Sequence, residues 1–322
     1  MRQILQINIA EMPLVGTYHP PADPAGVQAS HSHGEASDIG LLLLNFGQAP
    51  RAGLGDLAVR VADRVAQCGY PAFRFDLPGL GDSTGDLPAV IQAFWRYVQD
   101  GGHADCAARL VSTLKDRFRL RGLIVGGLCG GAISAIYAAD RVSQDVLGLV
   151  LLEPEFVLTH VPMDDQQPNP ARAPDAMSTR YYLLTLSHIR RDLLSPRAWR
   201  RFVCGQSAYR EHVRLIRHLL TRQIRRLRRD SLPDDANLPL IHHWRQQVKR
   251  NLASLVICAE PSQRQLIQKD ILGSRKPPAV SYVEVTGTNH MFVAGNGCQR
   301  VTEHICHWLD EHFPVAQNSA AA

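Results

Sequence analysis

The amino-acid sequence predicts an α/β protein in which a mostly parallel central sheet is flanked by helices. Segments typical of strands alternate along the chain with segments that have the apolar spacing of helices. Several of the strand segments are apolar throughout, which indicates strands buried on both faces. A Gly-rich pattern, Gly127-Leu128-Cys129-Gly130-Gly131, stands between one such strand and the helix that follows it. With 322 residues, 45% of them hydrophobic, the chain is long enough to bury a sizeable core.

The first half of the chain contains most of the expected sheet. Residues 41–46 are too apolar for an edge strand, and residues 53–67 have the leucine and valine spacing of an amphipathic helix. In chain order we expect a hairpin over 3–9 and 13–18, a loop over 19–37, the strand 41–46, the helix 53–67, a strand over 70–75, two helical stretches within 87–119 and a strand over 123–126.

The alternation of strands and helices stops after a strand over 146–152 and resumes near residue 251. We expect residues 160–250 to form an insertion, mainly helical, with its last long helix over 210–229. The core domain would then comprise residues 1–159 and 251–316, followed by a disordered tail over 317–322. Its remaining elements are expected at 255–259 (strand), 262–272 (helix), 279–285 (strand) and 298–312 (helix).

The Gly-rich pattern has the spacing of a turn that presents a nucleophile between a strand and a helix. Such a turn is sharp, and Gly127 and Gly131 have no Cβ to collide as its two ends approach each other. Cys129 would stand at the N-terminus of the following helix. The unsatisfied N–H groups and the positive dipole end there favour a thiolate. A buried structural cysteine in a Gly-rich turn is the alternative interpretation.

Residues 69–86, which include Arg74-Phe75-Asp76, together with residues 127–131 resemble the α/β-hydrolase superfamily. The resemblance covers residues 38–155 well and residues 253–313 loosely. It implies the α/β-hydrolase fold, with the insertion as a helical cap, and an acyl-transfer or hydrolytic activity with Cys129 as the nucleophile.

A second segment narrows the resemblance. Residues 48–53, taken with the first helix and residues 74–76, are similar to the hydrolases associated with exosortase systems. The turn around Cys129 (residues 127–131), which we call the elbow, also resembles members of the superfamily that act as acyltransferases or thioesterases. The resemblance implies that Arg74 and Asp76 brace the loops beside the elbow.

A thiol nucleophile needs a base, and His290 is the best candidate because it follows the last expected strand. In this fold the catalytic residues occur in the order nucleophile, acid, histidine. The acid stays open between Glu260, after the strand ending near residue 259, and Glu153, after the strand 146–152. A Cys–His dyad without an acid is the third possibility, because a thiol ionises far more readily than a hydroxyl.

The oxyanion of a tetrahedral intermediate would be held by main-chain N–H groups. We expect one donor at Gly130, directly after the nucleophile, and a second at Gln48 or Gly47, in the loop after the first central strand. A simple turn at Gly47 would explain that sequence equally well.

The positive charge of the chain belongs to one segment. Residues 172–250 contain 18 Lys and Arg against 6 Asp and Glu, although the whole chain has a formal net charge of only +5. A solvated basic face is one explanation. The other is a docking surface for an acidic partner such as an acyl carrier protein or coenzyme A, because the guanidinium group binds carboxylate and phosphate in a bidentate manner. The arginines assigned to that surface are Arg214, Arg217, Arg225 and Arg228.

Several classes of protein are not expected. No aromatic residues interleave with the arginines of 210–229, which argues against nucleic-acid binding. No apolar run is long enough to span a bilayer, and no secretory signal is visible. Seven scattered cysteines indicate reduced thiols and a cytoplasmic location. Neither a metal nor another cofactor is expected, and His31 and His33 are interpreted as part of a solvated loop.

The sequence therefore predicts a Cys-dependent acyltransferase or thioesterase that acts on an acyl thioester through an acyl-Cys129 intermediate. An ester or lactone hydrolase of the dienelactone-hydrolase type is the alternative within the enzyme class. A catalytically idle binding protein with the same fold is the alternative from another class, and it is motivated by the absence of an Asp after the strand 255–259.

Overall fold

The computed structural model describes residues 1–22, 37–158, 232, 236–259, 271 and 277–315. In that part of the chain eight strands form one sheet in the order β1-β2-β4-β3-β5-β6-β7-β8. The pairings β1–β2 and β2–β4 are antiparallel, and all the others are parallel. The strands are β1 (Gln3–Ile9), β2 (Met12–His19), β3 (Ile39–Leu43), β4 (Ala72–Phe75), β5 (Gly122–Leu128), β6 (Val146–Leu152), β7 (Ala253–Cys258) and β8 (Val280–Glu284).

The described helices pack on the two faces of this sheet. They are α1 (Leu57–Gln67), α2 (Ile91–Gln99), α3 (Ala104–Phe118), α4 (Gly130–Arg141), α5 (Leu238–Lys249) and α6 (Gly297–His312). The α/β fold with a mostly parallel sheet is thus confirmed, and so are the hairpin, the two helices within 87–119 and the final helix.

Burial along the strands follows from their places in the sheet. The central strands β3 and β5 are buried at every residue, as expected for strands that helices cover on both faces. The edge strand β1 instead alternates, with Leu5, Ile7 and Ile9 buried and their neighbours exposed. The carboxyl ends of the parallel strands lie along the same edge of the sheet, and the candidate site is built there.

Helix α1 begins later than its apolar spacing suggests. Gly53, Gly55 and Asp56 all have positive φ values, of 72°, 60° and 57°. These left-handed residues separate a short 3₁₀ turn over Leu54–Asp56 from the α-helix that starts at Leu57. The loop before α1 is therefore longer than expected, and it lies beside the site.

The strand expected over 41–46 occupies Ile39–Leu43 instead. The N–H of Leu44 still donates to the carbonyl of Gly126 (2.8 Å), but the chain then leaves the sheet. Asn45 makes this departure possible because its buried side chain bonds to the neighbouring loops.

The chain divides into two compact units, residues Met1–Phe156 with Asn237–Ala322, and residues Val157–Ala236. The core unit resumes at Asn237, earlier than the expected boundary at residue 251, because α5 packs against α4. Asn237 caps the N-terminus of that helix, because its side chain accepts from the N–H of Leu240 at 3.1 Å. The helices expected over 210–229 and 262–272 lie outside the described residues.

Among the helices of the described residues, none has the length and apolar character needed to cross a bilayer.

Candidate active site

Cys129 occupies a sharp turn between β5 and α4. Its backbone has φ 52° and ψ −106°, a conformation that costs an L-amino acid free energy and is found mainly at functional sites. Two hydrogen bonds hold it there: its N–H donates to Leu152 (2.8 Å), and its carbonyl accepts from Ile133 (3.1 Å). Cys129 is half-buried and packs against the hydrophobic core of the sheet.

The glycines on either side of the nucleophile permit this turn. A Cβ on Gly127 would come within 2.8 Å of Cα of Gly131, and a Cβ on Gly131 would come within 2.4 Å of the carbonyl oxygen of Asn45. Both clashes are with backbone atoms, which no side-chain movement can relieve. The strand, the helix and the loop after β3 can approach one another only because these residues are glycine.

His290 faces both Cys129 and Glu153. Its ring is within hydrogen-bonding reach of the Cys129 thiol, and its Nδ1 lies 3.4 Å from Oε2 of Glu153. The Glu153 side chain is fully buried, whereas that of His290 is 24% exposed. The three residues therefore form a continuous chain from a buried carboxylate, through an imidazole, to a partly exposed thiol.

Glu153 is positioned by the ends of two neighbouring strands. It follows β6 directly, its φ is +46°, and its N–H donates to Ile257 of β7 at 2.9 Å. Its Oε1 accepts the N–H of Ala259, the residue after β7. The N–H of Ala259 thus occupies one carboxylate oxygen, and His290 lies beside the other.

The charges of this site stabilise the protonated form of His290. Burial by itself lowers the pKa of the ring, but hydrogen bonds to Cys129 and Glu153, together with their negative charges, raise that pKa to about 10. The imidazolium is accordingly the favoured form near neutral pH. A protonated base beside a thiol is the arrangement that supports a thiolate–imidazolium pair.

The loop that carries His290 is anchored in the core. Phe292 is fully buried and has a φ of +56°. Its N–H donates to the carbonyl of Asn289 (2.8 Å), and the side chain of Asn289 accepts from Val293 (3.0 Å). These contacts hold the backbone on both sides of His290.

The two expected oxyanion donors lie on adjoining segments. Gly130 is the first residue of α4, so its N–H has no partner within the helix. A Cβ on Gly130 would lie 3.4 Å from Cα of Gly47 and 3.5 Å from its N. Gly47 has a φ of +63°, and Gln48 after it is exposed. The loop after β3 therefore brings the Gly47–Gln48 backbone beside the start of α4.

Asp76 holds that loop in place. It is fully buried, and its Oδ1 accepts from the N–H of Arg51 (2.6 Å) and from Nδ2 of Asn45 (2.9 Å). Its Oδ2 accepts from the guanidinium of Arg51 (2.5 Å) and from the N–H of Asp82 (3.1 Å). The side chain of Arg74 meanwhile donates to the carbonyl of Arg51 (2.8 Å). Asp76 and Arg74 thus brace the loops beside the elbow.

Not every residue singled out from the sequence lies in the described part of the chain. Glu260, Arg214, Arg217, Arg225, Arg228, His31 and His33 all lie outside it. Sequence reasoning missed Asn45, although a buried amide at the end of an apolar strand was a visible signal. It also missed Trp95, whose indole Cη2 would lie 3.2 Å from a Cβ on Gly47. In the described ranges no three His, Cys, Asp or Glu side chains come together as a metal site would require.

Comparison with known proteins agrees with this architecture. A family model described as the α/β-hydrolase fold matches residues 51–194. A search of curated proteins by sequence found no match.

Solved structures are similar in fold to this protein over almost the whole chain. TT1662 from Thermus thermophilus has 10% identity and a TM-score of 0.54, covering 97% of this chain and 98% of that one. An esterase from Thermogutta terrifontis has 15% identity and a TM-score of 0.50, with coverages of 96% and 99%. A dienelactone hydrolase from Anabaena variabilis has 14% identity and a TM-score of 0.50, with 97% of each chain covered. The chain therefore has the α/β-hydrolase fold.

Proposed function

We propose that this protein is a Cys-dependent acyltransferase or thioesterase that acts on acyl thioesters through an acyl-Cys129 intermediate. The observation that carries the proposal is the contact of His290 with both Cys129 and Glu153, next to two backbone segments suited to hold an oxyanion. In this proposal Glu153, rather than Glu260, is the acid.

In the first half-reaction the Cys129 thiolate attacks the carbonyl carbon of the thioester. A C–S bond forms, and the negative charge on the carbonyl oxygen is stabilised by the N–H groups of Gly130 and of Gln48 or Gly47. When the intermediate collapses, the original C–S bond breaks and the leaving thiolate takes a proton from the His290 imidazolium. The acyl group remains on Cys129.

In the second half-reaction His290 acts as the base. Water, an alcohol or an amine loses a proton to the neutral ring as it attacks the acyl-Cys129 carbonyl. Collapse of this second intermediate releases the Cys129 thiolate, with His290 protonated again. The carboxylate of Glu153 stabilises the imidazolium in both half-reactions.

A thioester donor suits a thiol nucleophile. Exchange of one thioester for another is close to balanced in free energy, so the acyl group stays activated for the next acceptor. The arginine-rich segment 172–250 supports a donor with acidic groups, either coenzyme A or an acyl carrier protein. We further propose a cytoplasmic location, on the basis of the scattered cysteines.

Mass spectrometry of the intact protein tests the mechanism. Wild type and Cys129→Ala are incubated briefly with a panel of acyl-CoA and acyl carrier protein thioesters. We expect a mass increase equal to the acyl group in wild type and none in Cys129→Ala. Cys298→Ala is the matched control, because Cys298 is another half-buried thiol of the core unit, and this variant should be acylated as wild type is.

Ester or lactone hydrolysis is the second candidate function. Its support is the fold shared with an esterase and a dienelactone hydrolase. Matched oxygen esters and thioesters separate the two candidates: a higher kcat/KM on the oxygen ester, or on a lactone, would favour plain hydrolysis.

A catalytically idle binding protein remains the alternative from another class. Iodoacetamide distinguishes it, because an idle protein would have a Cys129 that reacts near pH 7 no faster than a free thiol. The pairing of His290 with Glu153 argues for faster alkylation of Cys129.

A further inference from the structure

We infer that one face of α2, formed by Ile91, Trp95 and Val98, binds the apolar acyl chain of the substrate and sets the acyl-chain preference of the enzyme. The inference rests on the proposed function and adds to it the part of the molecule that selects the acyl group.

The three side chains lie on one stripe of the helix. Their spacing of four and then three residues places them on the same face, and the stripe is about 10 Å long at 1.5 Å per residue. Exposure decreases along it: Ile91 is 44% exposed, Trp95 is half-buried and Val98 is 3% exposed. The stripe therefore begins at an exposed apolar residue and ends at one that is packed inside the core unit.

The two inner residues of the stripe each border one segment of the expected oxyanion hole. Cγ1 of Val98 would lie 3.3 Å from a Cβ on Gly130, and the indole of Trp95 would lie 3.2 Å from a Cβ on Gly47. An acyl carbon attached to the Cys129 sulfur, with its oxygen between these two backbones, would be next to the α2 stripe.

The geometry of the tetrahedral intermediate places the acyl chain, rather than the leaving group, on the side of the oxyanion hole that borders α2. The carbon carries the Cys129 sulfur, the oxyanion, the leaving group and the acyl chain. The leaving group must face His290, because it takes its proton from that ring. The acyl chain takes the remaining direction.

The loop between β3 and α1 lies between the side expected for the acyl chain, at α2, and the side expected for the leaving group, at His290. At its far end, a Cβ on Gly55 would lie 2.6 Å from Cγ1 of Val293, which belongs to the His290 loop. Leu54 and Val293, each 45% exposed, therefore border the leaving-group side. Trp95 borders the same loop at Gly47, on the side of α2.

The test measures chain-length selectivity on a series of straight-chain acyl-CoA thioesters from acetyl to decanoyl. In wild type we expect kcat/KM to rise with chain length. In Ile91→Asn, and more strongly in Trp95→Ala, the ratio of kcat/KM for decanoyl to that for acetyl should fall about tenfold. A ratio is used because Trp95 also supports Gly47, and a defect of the oxyanion hole would lower the rates for all chain lengths alike.

Leu54→Asn is the matched control. It replaces an aliphatic side chain of nearly the same exposure as Ile91, on the opposite side of the loop, and should leave the decanoyl-to-acetyl ratio unchanged. Ile4→Asn, on the edge strand β1, should also leave it unchanged. The inference is overturned if Ile91→Asn and Trp95→Ala keep the wild-type ratio, or if Leu54→Asn changes it more than they do.

Failure of the inference can be told from failure of the proposed function. Acyl adducts on Cys129 with an unchanged chain-length profile in the α2 variants would overturn the inference alone. The absence of an adduct and of turnover with every acyl donor would overturn both.

Discussion

At the scale of single residues, the site depends on the charge that Glu153 provides beneath His290. Glu153 is fully buried at the junction of β6 and β7, and one of its oxygens already accepts the N–H of Ala259. A buried carboxylate is costly unless it is paired. The imidazolium of His290 lies beside the other oxygen, and the carboxylate in turn helps to raise the pKa of His290.

Replacing Glu153 by Gln should weaken the base without changing its position. The amide oxygen of Gln can still accept from the N–H of Ala259. The neutral NH2 group that would then face His290 supplies no negative charge. The pKa of His290 should fall, and kcat/KM should drop roughly 10²-fold. The pH profile of kcat/KM measures both effects.

Glu155→Gln removes another buried carboxylate of the same segment and should leave the profile as in wild type. An unchanged profile in Glu153→Gln would mean that Cys129 and His290 work as a dyad.

The raised pKa of His290 also predicts how stability depends on pH. The value is about 10 in the folded protein and 6.5 for an unperturbed histidine. A group whose pKa is raised by folding binds its proton more tightly in the native state, so its contribution is complete below pH 6.5 and is lost as the pH rises towards 10. Denaturant unfolding of wild type and His290→Gln from pH 6 to pH 10 measures this. We expect the stability advantage of wild type to shrink steadily over that window, and a constant difference would contradict the ion pair.

At the scale of elements, the site forms where β5, α4 and the loop after β3 approach more closely than side chains would allow. Gly127 and Gly131 are in contact through their backbones, and Gly131 also lies against the carbonyl of Asn45. Asn45 and Asp76 fix the loop that faces α4. The position of the oxyanion donors relative to Cys129 is therefore determined by backbone contacts that leave no room for a Cβ.

Gly131→Ala tests the close packing of α4 against the loop after β3. The added Cβ would lie 2.4 Å from the carbonyl oxygen of Asn45, so the loop and the helix must separate. We expect a loss of about 1–3 kcal/mol in the free energy of unfolding, measured by denaturant titration, and a lower kcat.

The neighbouring substitution Gly130→Ala is the control for stability. There the Cβ meets the Val98 side chain at 3.3 Å and backbone atoms only at 3.4 Å or beyond, and alanine favours a helix start over glycine. The free energy of unfolding should therefore change far less than in Gly131→Ala. Equal losses in the two variants would show that the contact with Asn45 is not what makes glycine necessary at residue 131.

At the scale of the whole molecule, the sequence was sufficient for the sheet but not for the site. Apolar strands and helical spacing predicted the fold class because each element buries its face against a neighbour close along the chain. The partner of His290 could not be chosen in the same way. Glu153 and His290 meet only because β6 lies between β5 and β7 in the sheet, and because Glu153 adopts a positive φ. Trp95 was missed for a similar reason, since its contact with Gly47 depends on how α2 lies over the loop.

The division of the chain into two units predicts that the core unit folds without residues 157–236. The N–H of Asn237 donates to the carbonyl of Phe156 at 2.8 Å, so a short Gly/Ser linker can join the two ends. Shortening this loop also lowers the entropy cost of closing it. Cys129, Glu153 and His290 all belong to the core unit.

We expect the shortened protein to unfold in one cooperative transition by circular dichroism. Its Cys129 should react with iodoacetamide faster than in the same protein carrying His290→Gln. A non-cooperative transition would mean that the core needs the insertion in order to fold.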